Sequence, residues 1–138
     1  AMRATGALRA RGVSILHLHV STLKPFTDPT IIEAAARARY GVITMENHSV
    51  IGGLGTSVAE VLAEHGLGKK LTRIGIPDTF AHGASLPYLM REYALDALGL
   101  VHQIETVLGS PLNISADDLA AVRVEATGSI SMAQLEAL

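Results

Sequence analysis

Apolar and polar positions along this chain follow two periods. Residues 13–20 (V-S-I-L-H-L-H-V) set Val13 and Ile15 on one face with His17 and His19, and Leu16, Leu18 and Val20 on the other with Ser14. Apolar groups on both faces predict a buried strand. Two short apolar runs, residues 42–45 (V-I-T-M) and 71–76 (L-T-R-I-G-I), also read as strands. Elsewhere the apolar positions fall at helical spacing: Ile31, Ile32, Ala35 and Ala38; Val58, Val61 and Leu62; Leu95, Leu98, Val101, Ile104 and Leu108.

Punctuation residues set the boundaries. Residues 1–11 are rich in Ala, Leu and Arg and form a helix that Gly12 ends. Pro25 and Pro29 fix a loop over 21–29. Thr27 or Asp28 caps a helix over about 30–39, with Pro29 at its first position. The helix after residue 55 runs to about His65, where Gly66 and Gly68 stop it. Ser85 caps a short helix to about Tyr93, and a longer one covers 95–108. Residues 109–113 turn, Ser115 to Asp118 open a short helical turn, 122–126 offer a strand, and 131–138 a last helix. Strands separated by helices of about ten residues predict an α/β fold, a three-layer α/β/α arrangement on a mostly parallel sheet.

The whole is organised around residues 42–60. A strand leads through Glu46, Asn47, His48 and Ser49 to Gly52, Gly53 and Gly55, and then into a helix. This is half of a strand–helix–strand unit. Helix N–H groups starting near Leu54 face the carboxyl end of the strand, which suits an anion. The turn has two readings: an anion or cofactor loop, or a tight connection whose glycines serve packing. G-G-x-G is not the dinucleotide fingerprint, and no G-K-[ST] follows to make a Walker loop.

Composition narrows the function classes. The 138 residues make one domain with enough material for a core. A 49% hydrophobic and 17% charged chain is globular. Net charge of −2 and 4% aromatics give no footprint for nucleic acid or an anionic membrane. Without cysteine there are no disulfides or thiolate metal sites. No apolar run reaches spanning length and no signal peptide is visible, so a soluble cytoplasmic protein is expected. The high apolar fraction leaves room for an interface, hence an oligomer or a part of an assembly.

The predicted strand ends carry Lys24, Glu46, His48 and Asp78. Glu46 and His48 have the chemistry of an acid/base pair, but no G-x-S-x-G nucleophile elbow accompanies them. Asp78, after Pro77, reads as a cap or turn carboxylate. His17 and His19 share a strand face; they are metal ligands if a third joins them, and core or interface histidines otherwise. His65 and His102 read as surface residues at helix ends, and His82 as a loop residue able to touch a neighbour or ligand.

Residues 44–64, T-M-E-N-H-S-V-I-G-G-L-G-T-S-V-A-E-V-L-A-E, closely resemble the C-terminal domain of transketolase-like thiamine diphosphate enzymes. G-V-S at 12–14, L-K-P-F at 23–26 and R-I-G-I-P-D-T-F at 73–80 agree in order. Y-A-L at 93–95 stands where the family usually has Y-G-L. The resemblance covers roughly residues 8–108, and relatives include transketolase, deoxyxylulose-phosphate synthase and the β chains of 2-oxo acid dehydrogenases. It implies a C-terminal domain of an enzyme moving two-carbon ketol units between sugar phosphates, as in pentose phosphate chemistry. It also implies that thiamine diphosphate and magnesium are held by the other domains, across a dimer interface. No catalytic, cofactor-binding or metal residue is then expected in this chain. Its partners would be the other transketolase domains or subunit, and a second copy. Glu46, His48, Gly52, Gly53, Gly55 and Asp78 remain as an anion or interface loop. A free-standing assembly or regulatory module is the alternative from another class.

The family domain opens with a strand of the type V-x-I-I-A-T-G-S ahead of its first helix, and no such strand stands there in this sequence. Residues 122–129, V-R-V-E-A-T-G-S, look like that strand displaced to the other end. Two expectations follow. Either residues 109–138 form an atypical tail that fills the central slot between 13–20 and 42–45, from the same chain or a partner, or the chain is a fragment with an ordinary extension.

Overall fold

The computed structural model describes residues 1–123. Eight elements follow in order: α1 (Met2–Ala10), α2 (Pro29–Arg37), β1 (Val42–Ser49), α3 (Leu54–Glu64), β2 (Leu71–Ile76), α4 (Leu86–Glu92), α5 (Ala97–Leu108) and α6 (Ala116–Ala121).

The helices start where the sequence offers caps. Asp28 accepts the Thr30 N–H at 2.9 Å and the Thr30 hydroxyl at 2.7 Å, with Pro29 opening α2. Asp96 caps α5 through the Gly99 N–H at 2.7 Å. Ser115 and Asp118 close a reciprocal capping box on α6. Ser85 stands at the N-cap position of α4, yet its side chain caps nothing there. Gly109 ends α5 in the left-handed region.

β1 and β2 pair in parallel, with Val42 opposite Leu71 and Met45 opposite Ile74, and α3 forms the crossover between them. Strand alternation sends Ile43, Met45, Ile74 and Ile76 into one core with α1, α5 and α6. On the other face Val42 and Leu71 pack with Ala35 of α2 and Val58 and Leu62 of α3. Helices on both faces of a parallel sheet make the fold α/β, in three layers.

Residues 13–20 differ from expectation. They form no strand, although exposure still alternates: Val13, Ile15 and His17 are half-buried and Leu16 and Leu18 exposed. Val13 and Ile15 pack against the same core as Ile43 and Met45. The periodicity is that of an extended chain, but a strand also needs a backbone partner. Among the described residues the backbone of 14–20 has none in main-chain hydrogen bonding. The sheet described is therefore two-stranded. Of the strand expected at 122–126, residues 124–126 lie outside the described residues, as does the whole of the helix expected at 131–138.

β1 is longer than the apolar run 42–45. It continues to Ser49, which faces Ile76. From Met45 to Ser49 β1 advances four residues, while β2 advances only two from Ile74 to Ile76. The bulge sits where Glu46 and His48 were expected in a turn, and bulges re-aim side chains. Gly75 lies across from it; a Cβ there would stand 2.9 Å from the His48 carbonyl oxygen.

Candidate functional site

The bulge turns Glu46 toward the start of α3. One carboxylate oxygen accepts the Leu54 N–H at 2.8 Å and the other the Gly55 N–H at 2.9 Å. The N-cap residue is Gly53, which has no side chain to offer, so the helix's free N–H groups are met from the strand. A carboxylate at this position also lies at the positive end of the helix dipole. The anion suited to the glycine turn is thus carried by the chain itself.

The glycines fit this arrangement one by one. A Cβ on Gly53 would fall on the Glu46 carboxylate. A Cβ on Gly55 would meet Arg73 Cδ at 2.6 Å and Thr44 Oγ1 at 3.0 Å, so α3 rests directly on the sheet. Gly52 has φ +73 and open space around it; it serves the turn's backbone alone. The loop is tied at each step. The Ile51 N–H donates to Ser49 Oγ at 3.1 Å, the Gly52 N–H to Thr56 Oγ1 at 3.0 Å, and Arg73 Nη1 to the Val50 carbonyl at 2.9 Å. Thr44 Oγ1 is buried beneath Gly55 with no hydrogen-bond partner among the described residues.

His48 does not join Glu46. It is exposed, and its Nδ1 lies 3.0 Å from the Ser49 carbonyl. Asp78 and Lys24 are also exposed on their loops. His82 sits 3.5 Å from Glu92 and edge-on to Tyr88 at 5.9 Å. His65 occupies the C-cap of α3. His17 is half-buried; desolvation pushes its imidazole below the ordinary value near 6.5, and the positive charges of the amino terminus, His19 and Arg9 act the same way. No group of three potential metal ligands occurs among the described residues. No helix among them is long and apolar enough to cross a membrane.

Beside β2 an open cleft of about 300 Å³ is lined by Arg73, Gly75, Pro77, Glu92, Tyr93 and Gln103 among others. Sequence reasoning did not find it, because it arises where α4 and α5 meet the edge of β2. Phe80, Leu86 and Tyr88 stand exposed nearby in the chain, on the loop after β2 and the first turn of α4.

A parallel-sheet α/β domain whose strand-to-helix turn is filled by its own glutamate defines the class. The family described as "Transketolase, C-terminal domain" matches residues 1–99, and the chain belongs to that family. A Methanocaldococcus jannaschii protein named for the transketolase C-terminal section is 39% identical over 104 residues, 75% of this chain and 32% of the relative. A transketolase family protein of Sinorhizobium fredii is 39% identical over 106 residues, 76% of this chain and 31% of the relative. The 1-deoxy-D-xylulose-5-phosphate synthase of Chlorobium luteolum is 32% identical over 113 residues, 82% of this chain and 18% of the relative. The chain thus spans about a third or less of the length of these relatives.

Transketolase-like proteins depend on thiamine diphosphate as a family. The glycine turn does not fit that group. Its two converging N–H groups are already bonded to Glu46, whose charge opposes a diphosphate.

Proposed function

We propose that this chain is the C-terminal domain of a thiamine diphosphate-dependent transketolase-type enzyme of the cytoplasm, which moves two-carbon ketol units between sugar phosphates of the pentose phosphate type. Its own part is to brace a dimer and the neighbouring cofactor-bearing domains. It is not catalytic alone.

The observation that carries this reading is the commitment of Glu46. The carboxylate best placed for acid/base work holds the start of α3 through two backbone N–H groups. A general base must be within reach of substrate and free to take a proton; this one is engaged in structure. Exposed Phe80, Leu86 and Tyr88 supply apolar surface for a neighbouring domain.

The test is reconstitution. The purified chain is assayed for ketol transfer from a ketose phosphate to an aldose phosphate, with and without a subunit carrying the thiamine diphosphate-binding domains. The chain alone is expected to be inactive, to bind that subunit and to raise its turnover. Turnover by the isolated chain, or failure to bind, overturns the proposal. The names of several relatives favour a second reading, formation of 1-deoxy-D-xylulose 5-phosphate. Product analysis of the reconstituted enzyme separates the two.

A further inference from the structure

β1 and β2 run parallel with Val42 opposite Leu71, so the segments that lead into them lie side by side at the amino end of the sheet. Three contacts join these segments. Lys69 Nζ donates to the Ala38 carbonyl at 2.9 Å, the Val42 N–H donates to the Lys70 carbonyl at 2.8 Å, and a Cβ on Gly41 would stand 3.3 Å from Lys70 Cβ. Together they gather Arg37, Arg39, Lys69 and Lys70, four of the 11 Lys and Arg residues of a chain whose net charge is −2. Part of this charge serves the fold. Arg37 stands in the last turn of α2 and Lys69 holds a carbonyl at its end, both favourable against the helix dipole. That account stops at Arg39 and Lys70, which lie beyond the helix and are exposed. The ion pairs among the described residues, Arg11 with Asp118 and His82 with Glu92, lie elsewhere. Glu33 and Glu64, the carboxylates nearest in sequence, therefore pair with none of the four cations.

We propose that this amino end of the sheet docks an acidic face of the subunit that carries the thiamine diphosphate-binding domains. The inference rests on the assembly role given above and adds where, and by what chemistry, the partner is met. The sign of the patch sets the sign of the partner, since facing surfaces of a specific complex carry opposite potentials. The residue types select a protein surface. Tyr and Arg are the types enriched at interface anchors. Here Arg39 lies over the ring of exposed Tyr40, 5.4 Å from its centroid, which makes the two one amphipathic unit. Arg37 and Lys70 flank that unit as charges of a rim, whose effect falls on the rate of encounter. A single aromatic offers no series of stacking platforms for a nucleic acid. The chain covers 32% or less of the three relatives described above, and the rest of their length is what such a domain works beside.

The test is the association rate of the purified chain with that subunit, followed by stopped flow at rising ionic strength. The parent rate is expected to fall about tenfold between about 0.05 M and about 0.3 M salt. Arg39→Glu with Lys70→Glu should slow association about tenfold at the lower salt and flatten its salt dependence. Arg3→Glu with Lys24→Glu makes the same change in net charge at two other exposed cations and should leave the rate within about twofold. Arg39→Gln with Lys70→Gln removes the charges without reversing them and should give an intermediate rate. Tyr40→Ala should act on the other constant and raise dissociation about tenfold. Equal slowing by the two charge-reversed pairs, or none by either, overturns the docking surface while leaving the assembly role standing. Failure of the parent chain to bind overturns the assembly role and the surface with it. A salt-sensitive dimer of the chain alone, dissolved by Arg39→Glu with Lys70→Glu, overturns the subunit as occupant in favour of a second copy.

Discussion

Glu46 and Leu54 are eight residues apart and joined by a 2.8 Å hydrogen bond from the Leu54 N–H to the Glu46 carboxylate, with the Gly55 N–H held by the second oxygen. The side chain crosses from strand to helix and fastens the two. Hydrogen bonds to a charged acceptor contribute about 1.5–3 kcal/mol each where solvent is partly excluded. Glu46→Ala leaves two helix N–H groups without their acceptor and is expected to cost about 2–3 kcal/mol. Glu46→Gln keeps one acceptor but turns an NH2 group toward the other N–H, and is expected to cost about 1–2 kcal/mol. Urea unfolding checks both: the midpoint should fall with the slope unchanged.

Gly52 and Gly53 are neighbours with different reasons to be glycine. Gly52 adopts φ +73 with no atom within 4 Å of a would-be Cβ, so Gly52→Ala costs only the left-handed backbone, about 1–2 kcal/mol. At Gly53 a Cβ would displace the Glu46 carboxylate. Gly53→Ala should therefore remove the Glu46 contacts along with adding crowding. The expected signature is non-additivity: Gly53→Ala placed on Glu46→Ala should cost well under its cost in the parent chain. Equal costs in both backgrounds would show that the glycine acts independently of the glutamate.

The relation between Glu46 and α3 also marks where sequence reading stops. The strand at 71–76, the Asp28 and Pro29 helix start and the Ser115 to Asp118 turn were legible because cap, period and breaker lie within a few residues. The start of α3 was legible from Gly53 and Leu54; what would fill it was not. The signal existed: a helix whose N-cap is glycine, with no acidic residue in its first turn, following an apolar run at 42–45 that gives way to a glutamate. The bulge that delivers Glu46 depends on register against Gly75, which no local pattern encodes. Residues 13–20 mark a different limit. Their alternation did report exposure, half-buried against exposed, but a strand is a pairing of two segments, and periodicity in one cannot supply the other.

Acid should loosen α6 in a predictable window. Asp118 is held below its ordinary pKa of 3.8 by the Ser115 backbone N–H, by the Ser115 hydroxyl, and to a smaller extent by Arg11. A carboxylate with a lowered folded pKa stabilises the fold above the unfolded value, and that contribution is lost as pH falls through the folded one. The cap is therefore expected intact above about pH 4 and released below it. Amide exchange of residues 115–121, followed by NMR down a pH series, checks this. In Asp118→Asn the same amides should exchange faster at neutral pH, and their acid step should vanish.

Ala94 offers the opposite sign, a substitution that should stabilise. It ends α4 with φ +53, a left-handed conformation in which an L side chain is strained. Its position is fixed from both sides. Its N–H donates to the Arg91 carbonyl at 3.1 Å, the Leu95 N–H donates to the Met90 carbonyl at 2.7 Å, and Gly99 of α5 packs directly on its backbone. The strain cannot relax without moving α5. Removing the Cβ relieves it, while glycine's added freedom in the unfolded chain takes back part of the gain. Ala94→Gly is expected to raise stability by about 0.5–1 kcal/mol. Ala59→Gly, on the exposed face of α3 with ordinary helical geometry, should lower it by about 1 kcal/mol. Thermal unfolding of the two variants side by side gives the sign directly. A loss at both positions would mean that the Ala94 methyl contributes more in packing than its backbone costs in strain, since half-buried Ala94 borders the cleft beside β2.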